Sequence, residues 1–78
     1  LDANIQLYPN PVADRLQVDM SNVDGTKSLT LIDMLGRVVY KIENASIESI
    51  DMSDLSKGMY IVHIKSDFGT YNKTVIKQ

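Results

Sequence analysis

The chain has 78 residues, of which 44% are hydrophobic and 23% charged, and its formal net charge is −2. This length suits one domain, and the interspersed charges provide no basic stripe of the kind that nucleic-acid binding needs. Cysteine is absent, which excludes disulfides and thiolate metal sites, and no apolar run approaches the roughly 20 residues of a membrane helix.

The first two predicted strands are separated by a corner rich in proline. Residues 5–8 alternate briefly and then meet Pro9–Pro11, where two prolines fix two φ angles and lack backbone donors. The stretch 14–20 alternates cleanly, with Leu16 and Val18 on the apolar side. We therefore expect a short edge strand, a rigid corner and a second strand that faces the core on one side.

The next two strands are predicted to form a hairpin. Residues 28–32 place Leu29 and Leu31 on one face, and the following turn ends at Gly36, where a positive φ is expected. Residues 37–42 form the fourth strand. Either face of this strand could be the buried one, because three consecutive residues in it are apolar or aromatic.

A weaker strand is predicted over residues 47–52. Its apolar residues break strict alternation, which suggests a bulge. After it, a single helical turn is expected, with Ser53 or Asp54 as its cap and Leu55 filling the end of the core.

The central strand of the domain is predicted over residues 59–65, after a turn that contains Gly58. Tyr60 and every second residue after it are apolar and face inward, as the period of two in a strand requires. A hairpin turn at 66–69 leads to the last strand at 70–77. Seven short strands with turn signals roughly every 8–12 residues predict an all-β antiparallel sandwich.

The residues that usually carry chemistry do not converge. His63 is the single histidine, and no Gly-x-Ser-x-Gly nucleophile elbow is present. The stretch Asp51–Asp54 lacks the further oxygen ligands that calcium needs, and a sugar site is disfavoured because there is no tryptophan platform. The sequence therefore predicts a protein that is not an enzyme and that has no cofactor and no metal.

Four motifs, in this order and spacing, resemble a known family. They are Tyr8-Pro9-Asn10-Pro11, Leu16-x-Val18, Leu31-x-Asp33-Met34-Leu35-Gly36-Arg37-Val38-Val39 and Leu55-Ser56-Lys57-Gly58-Met59-Tyr60-Ile61-Val62. The chain then ends in a lysine-bearing strand. Over 5–78 it resembles the C-terminal sorting domain that cargo proteins of the type IX secretion system carry in Bacteroidota.

The resemblance implies an immunoglobulin-like sandwich that serves as a secretion signal. Residues 5–78 would be the sorting domain, and residues 1–4 a residual linker near the processing site of a longer protein. The signal would direct a cargo from the periplasm through the outer-membrane translocon. A sortase-like transpeptidase commonly removes such a domain, and the cargo is then attached to the cell surface or secreted.

The resemblance also points to particular residues. Those expected to shape the domain are Pro9, Asn10, Pro11, Gly36, Gly58 and Tyr60. Those expected to contact the translocon are Lys73, Thr74, Val75, Ile76 and Lys77, in a terminal strand whose edge is expected to lie open. An open edge would also allow a homodimer by strand exchange. The two lysines have a second interpretation, as protection of that edge against aggregation, and the whole domain has one as a retained structural or adhesive module.

Overall fold

Seven strands form two packed antiparallel sheets in the computed structural model, which describes residues 5–78. The strands are β1 (Gln6–Tyr8), β2 (Arg15–Asp19), β3 (Lys27–Ile32), β4 (Val38–Ile42), β5 (Ile47–Asp51), β6 (Gly58–Ser66) and β7 (Gly69–Lys77). One sheet has the order β1-β2-β5 and the other the order β4-β3-β6-β7. The predicted all-β, immunoglobulin-like sandwich is confirmed, and the predicted linker at 1–4 lies outside the described residues.

The core lies between the two sheets, and its buried side chains come from β2, β3, β5, β6 and β7 and from the segments that connect the strands. The buried apolar side chains are Ile5, Val12, Leu16, Val18, Met20, Val23, Leu29, Leu31, Ala45, Ile50, Met52, Tyr60, Val62, Ile64 and Val75. The predicted inward faces of the second, third and sixth strands are therefore confirmed. Fully burying one such side chain stabilises the fold by about 1.5–3 kcal/mol, so each is a large part of the stability of a small domain.

The strand β6 is central, as predicted, because it pairs with β3 on one side and with β7 on the other. Tyr60 is buried, and its hydroxyl donates a 2.6 Å hydrogen bond to the carbonyl of Ser56. This bond satisfies the one polar group of the ring inside the core, so Tyr60 fills space without leaving an unpaired donor.

The bulge predicted in the fifth strand is wrong. Residues 47–51 pair with β2 in a continuous register, and the side chains alternate regularly. Ile47 points outward and is 57% exposed, whereas Ile50 and Met52 are buried. Glu48 is half-buried on the inward face, and its Oε1 accepts a 3.5 Å hydrogen bond from the Tyr40 hydroxyl. The irregularity lies elsewhere, where the register of β3 against β4 shifts between residues 31 and 32.

The helical turn predicted after this strand is also wrong, and so is its cap. Asp51 Oδ1 accepts hydrogen bonds from the backbone N–H of Ser53 at 3.0 Å and from its hydroxyl at 2.6 Å. The N–H of Leu55 donates to the carbonyl of Met52 at 3.0 Å, which closes a single turn. An aspartate that binds backbone two residues on stabilises a turn as well as a helix start. Leu55 packs against the core, as predicted.

Candidate recognition surface

The last strand, β7, lies at one edge of the four-stranded sheet, and its side chains alternate between the two faces. Val75 and Lys77 are buried and Lys73 is half-buried, so these three point toward the core. The stem of Lys77 is covered and its Nζ donates to the carbonyl of Gln78 at 2.8 Å. Thr74 and Ile76 are exposed on the outer face. Of the five residues predicted to contact the translocon, these two present their side chains outward.

A segment from the proline corner covers the free edge of β7. Val12 forms a parallel bridge with Lys77. Its N–H donates to the carbonyl of Ile76 at 2.8 Å, and its carbonyl accepts from the N–H of Gln78, also at 2.8 Å. The open edge predicted for the last strand is therefore absent over its final residues. Around Thr70 and Asn72, the backbone edge that faces away from β6 has no hydrogen-bond partner among the described residues.

Asn10 extends this cover by imitating a peptide group. Its Oδ1 accepts a 3.0 Å hydrogen bond from the N–H of Ile76, and its Nδ2 donates to the carbonyl of Thr74 at 3.2 Å. A carboxamide offers one acceptor and a donor in the same plane, as the backbone does. The bonds preceding Pro9 and Pro11 are both cis. The corner was predicted from its prolines, but the role of Asn10 was missed.

The turn between β3 and β4 is held by one aspartate. Asp33 Oδ1 accepts hydrogen bonds from the N–H groups of Leu35 and Arg37, both at 2.9 Å, and Oδ2 accepts from Arg37 Nε at 2.8 Å. The bond from the Arg37 N–H is the main cause that holds the pKa of Asp33 below its ordinary value. Gly36 has a φ of +82°, which confirms the predicted glycine turn.

Gly58, the other glycine singled out in the sequence, starts β6 with a φ of +140°. It stands next to Met59 on the outer face of the four-stranded sheet, beside the turn that holds Gly36. The two glycine turns therefore lie at the same end of the molecule, and the space between them is a groove rather than packed core.

His63 lies on the outer face of the four-stranded sheet, where its Nδ1 is 2.6 Å from Asn72 Oδ1. It lines an open groove of about 360 Å³ with Ser28, Glu43 and Asp67, and among the described residues it makes no hydrogen bond to any of these three. Within 5–78, no group of three or more His, Cys, Asp or Glu side chains is placed to hold a metal ion. The same residues contain no helix that is long and apolar enough to cross a membrane.

Comparison with known proteins decides which family has this arrangement of corner, turns and terminal strand. Residues 6–78 match the family described as the secretion system C-terminal sorting domain. The chain belongs to the type IX secretion C-terminal sorting domains. The resemblance drawn from its four motifs is thus confirmed over nearly the whole chain.

One curated relative gives this sorting domain a context. The sorting domain is 30% identical over 67 residues to an ulvan lyase, NLR42, of Nonlabens ulvanivorans, in a match that covers 83% of this chain and 12% of the relative. The chain thus spans about an eighth of the relative's length. A sorting domain of this kind marks a protein for secretion to the cell surface or the surroundings.

Proposed function

We propose that this chain is a non-catalytic signal that directs a cargo, attached on its N-terminal side, from the periplasm across the outer membrane through the type IX translocon. The observation that carries the proposal is the match of residues 6–78 to the sorting family. A protein of this kind acts by being bound.

The last strand is the element that we propose the translocon contacts. Its inward side chains, at Lys73, Val75 and Lys77, hold the strand in the sandwich, while Thr74 and Ile76 face outward. The cover from Asn10 and Val12 fixes the backbone of this strand. A strand held on both edges presents its outer side chains in one conformation, which lowers the entropy cost of binding.

Processing completes the proposed function. A sortase-like transpeptidase would cut upstream of the folded sandwich, at or before residues 1–4, and attach the cargo to the cell surface. Mass spectrometry of the mature surface protein tests this step. Loss of the sandwich from the mature cargo supports cleavage, whereas a retained C-terminus would favour a structural or adhesive module instead.

Export of a periplasmic reporter fused to this chain tests the signal itself. In a strain with a working type IX system, the fusion should appear outside the cell and the reporter alone should not. Deletion of 73–78 should abolish export. Because that deletion also removes the buried Val75, a milder pair is needed: Ile76→Gln on the outward face of β7 should lower export, and Ile47→Gln on the other sheet should not. A wild-type fusion that stays in the periplasm would refute the proposal.

A further inference from the structure

The outer face of the four-stranded sheet is apolar at one end, which is unusual for the solvent side of an antiparallel sheet. The register places Val38, Ile32 and Ile61 in one line across β4, β3 and β6. Met59 and Ile76 form the next pair on β6 and β7. All five side chains point away from the core, and Val38, Met59 and Ile76 are exposed. The apolar side chains therefore run without a break across all four strands.

The turn after β3 adds two projecting residues at the same end. Met34 is 62% and Leu35 is 78% exposed. They line a groove of about 260 Å³ together with Met59 from β6. The exposed residues Met34, Leu35, Val38, Met59 and Ile76 together are called the outer patch. Methionine side chains adapt their shape to a bound surface at little cost, so two of them beside a groove favour binding.

The other sheet provides an internal comparison. On the outer face of the three-stranded sheet, Arg15 pairs with Asp51 at 3.9 Å and donates to the Ser49 hydroxyl at 3.2 Å. Ile47 and Tyr8 are exposed there at the ends of β5 and β1, separated by the polar residues Gln17 and Asp19 of β2. Scattered surface apolar residues are normal, whereas a contiguous apolar surface marks an interaction site. The outer face of the four-stranded sheet thus has the contiguous apolar surface of an interaction site, whereas that of the three-stranded sheet does not.

The charges beside the outer patch indicate the chemistry of its partner. The groove is flanked by Arg37 and Lys57, both exposed. The carboxylate that also lines it, Asp33, has its side chain 12% exposed and both oxygens hydrogen-bonded within its own turn. Arg37 Nε binds Asp33 Oδ2 at 2.8 Å, so the charges of these two residues offset each other, and Lys57 is the positive charge that remains at the rim. A partner that fits presents apolar side chains next to a carboxylate.

We infer that the outer patch is the docking surface for a protein component of the export machinery, which inserts apolar side chains into the groove and places a carboxylate near Lys57. This inference rests on the proposed function and deepens it, since Ile76 of the last strand belongs to the same surface. A concave groove accepts a projecting side chain of a protein, for which a flat lipid surface has no counterpart. Recognition thus extends from β7 across β6 to the turn at Met34 and Leu35.

Two matched pairs of variants test the inference in the reporter fusion. Met34→Gln/Leu35→Gln removes apolar surface from the outer patch without adding charge. Ile47→Gln/Phe68→Gln removes it from two residues of similar exposure, 57% and 74%, that lie outside the patch. The first should lower export at least fivefold and the second less than twofold, with thermal unfolding of the purified chains as the check that both remain folded.

The charge at the rim is tested in the same assay. Lys57→Glu should lower export at least threefold, whereas Lys65→Glu, at the polar end of the same sheet face, should change it less than twofold. If the wild-type fusion stays inside the cell, the proposed function fails and the inference with it. If the wild type and Met34→Gln/Leu35→Gln are exported equally, the docking surface alone is refuted.

Two measurements on the purified chain separate the partner from other occupants of the outer patch. Sedimentation velocity should give the same mass for the wild type and Met34→Gln/Leu35→Gln. A wild-type dimer that this variant abolishes would assign the surface to a second copy and overturn the inference. Vesicles of phosphatidylethanolamine and phosphatidylglycerol should not pull down the wild type. Binding to them that the same variant abolishes would assign the surface to lipid instead.

Discussion

Replacement of Asn10 by alanine tests whether the carboxamide closes the edge of the last strand. The substitution removes the bonds to the N–H of Ile76 and the carbonyl of Thr74, and it leaves Val12 in place. A net hydrogen bond contributes about 0.5–1.5 kcal/mol. Two such bonds would contribute about 1–3 kcal/mol. Because the site is exposed and water can replace the lost partners, we expect the free energy of unfolding to fall by about 1–2 kcal/mol, the lower half of that range.

Urea unfolding measures this loss, and Asn22→Ala is the control. Asn22 is exposed in a loop and makes no side-chain hydrogen bond among the described residues. In a domain of this size, 1 kcal/mol corresponds to a shift in Tm of about 4–8 °C. The slope of the transition should stay unchanged, because the folded surface is the same. Hydrogen exchange adds a local measure: the amide of Ile76 should exchange faster, and that of Val75, which faces β6, should not. A loss of stability no larger than that of Asn22→Ala would refute the role of Asn10.

Three further outcomes are expected. Gly36→Ala should lower the free energy of unfolding in urea by about 1–2 kcal/mol, because a Cβ costs about that much in the left-handed conformation. Gly36→Asn should recover part of this loss. Nothing lies within 4 Å of the added Cβ, so a larger loss would contradict a purely conformational cost. The hydrogen bond from the Arg37 N–H is the main cause that lowers the folded-state pKa of Asp33. The stability that the ionised carboxylate contributes is therefore fully present above the ordinary pKa of 3.8 and is lost as pH falls through the lowered pKa. Asp33→Asn should thus be less stable than the wild type at pH 6 and equal to it in strong acid, and a difference that persists unchanged would contradict this linkage. The strand-exchanged homodimer stays a prediction, and Asn10→Ala should raise its fraction in light scattering because it frees part of an edge, whereas monomer in both would count against it.

The strands and their inward faces could be predicted because alternation is a local property of the sequence. Leu29 and Leu31, or Tyr60 and Val62, reveal their common face within a few residues. The turn at Gly36 could be predicted for the same reason, since only glycine takes its φ at no cost. These features needed no knowledge of which strand lies beside which.

The features that were missed depend on partners distant along the chain. Asn10 binds residues 64 and 66 positions away, so no short pattern encodes that contact. Lys77 looked like a surface residue, but a lysine stem can be buried while its ammonium group finds a nearby carbonyl. The apolar spacing of residues 47–52 suggested a bulge, whereas the register places Ile47 opposite Asp19 and turns it outward, so that β5 alternates regularly. For Asn10 and Ile47 the position of a distant strand decided the outcome, whereas for Lys77 a neighbouring carbonyl did.

The parallel bridge between Val12 and Lys77 has a mechanical consequence. A force that pulls the chain before Pro9 away from the end of β7 would load these two parallel segments in shear. The four hydrogen bonds made there by Asn10, Val12 and Gln78 would then bear the load together instead of opening one after another. This contact would be the first part of the sandwich to resist such a force. It would therefore help a sorting domain to stay folded while a large cargo on its N-terminal side is pulled.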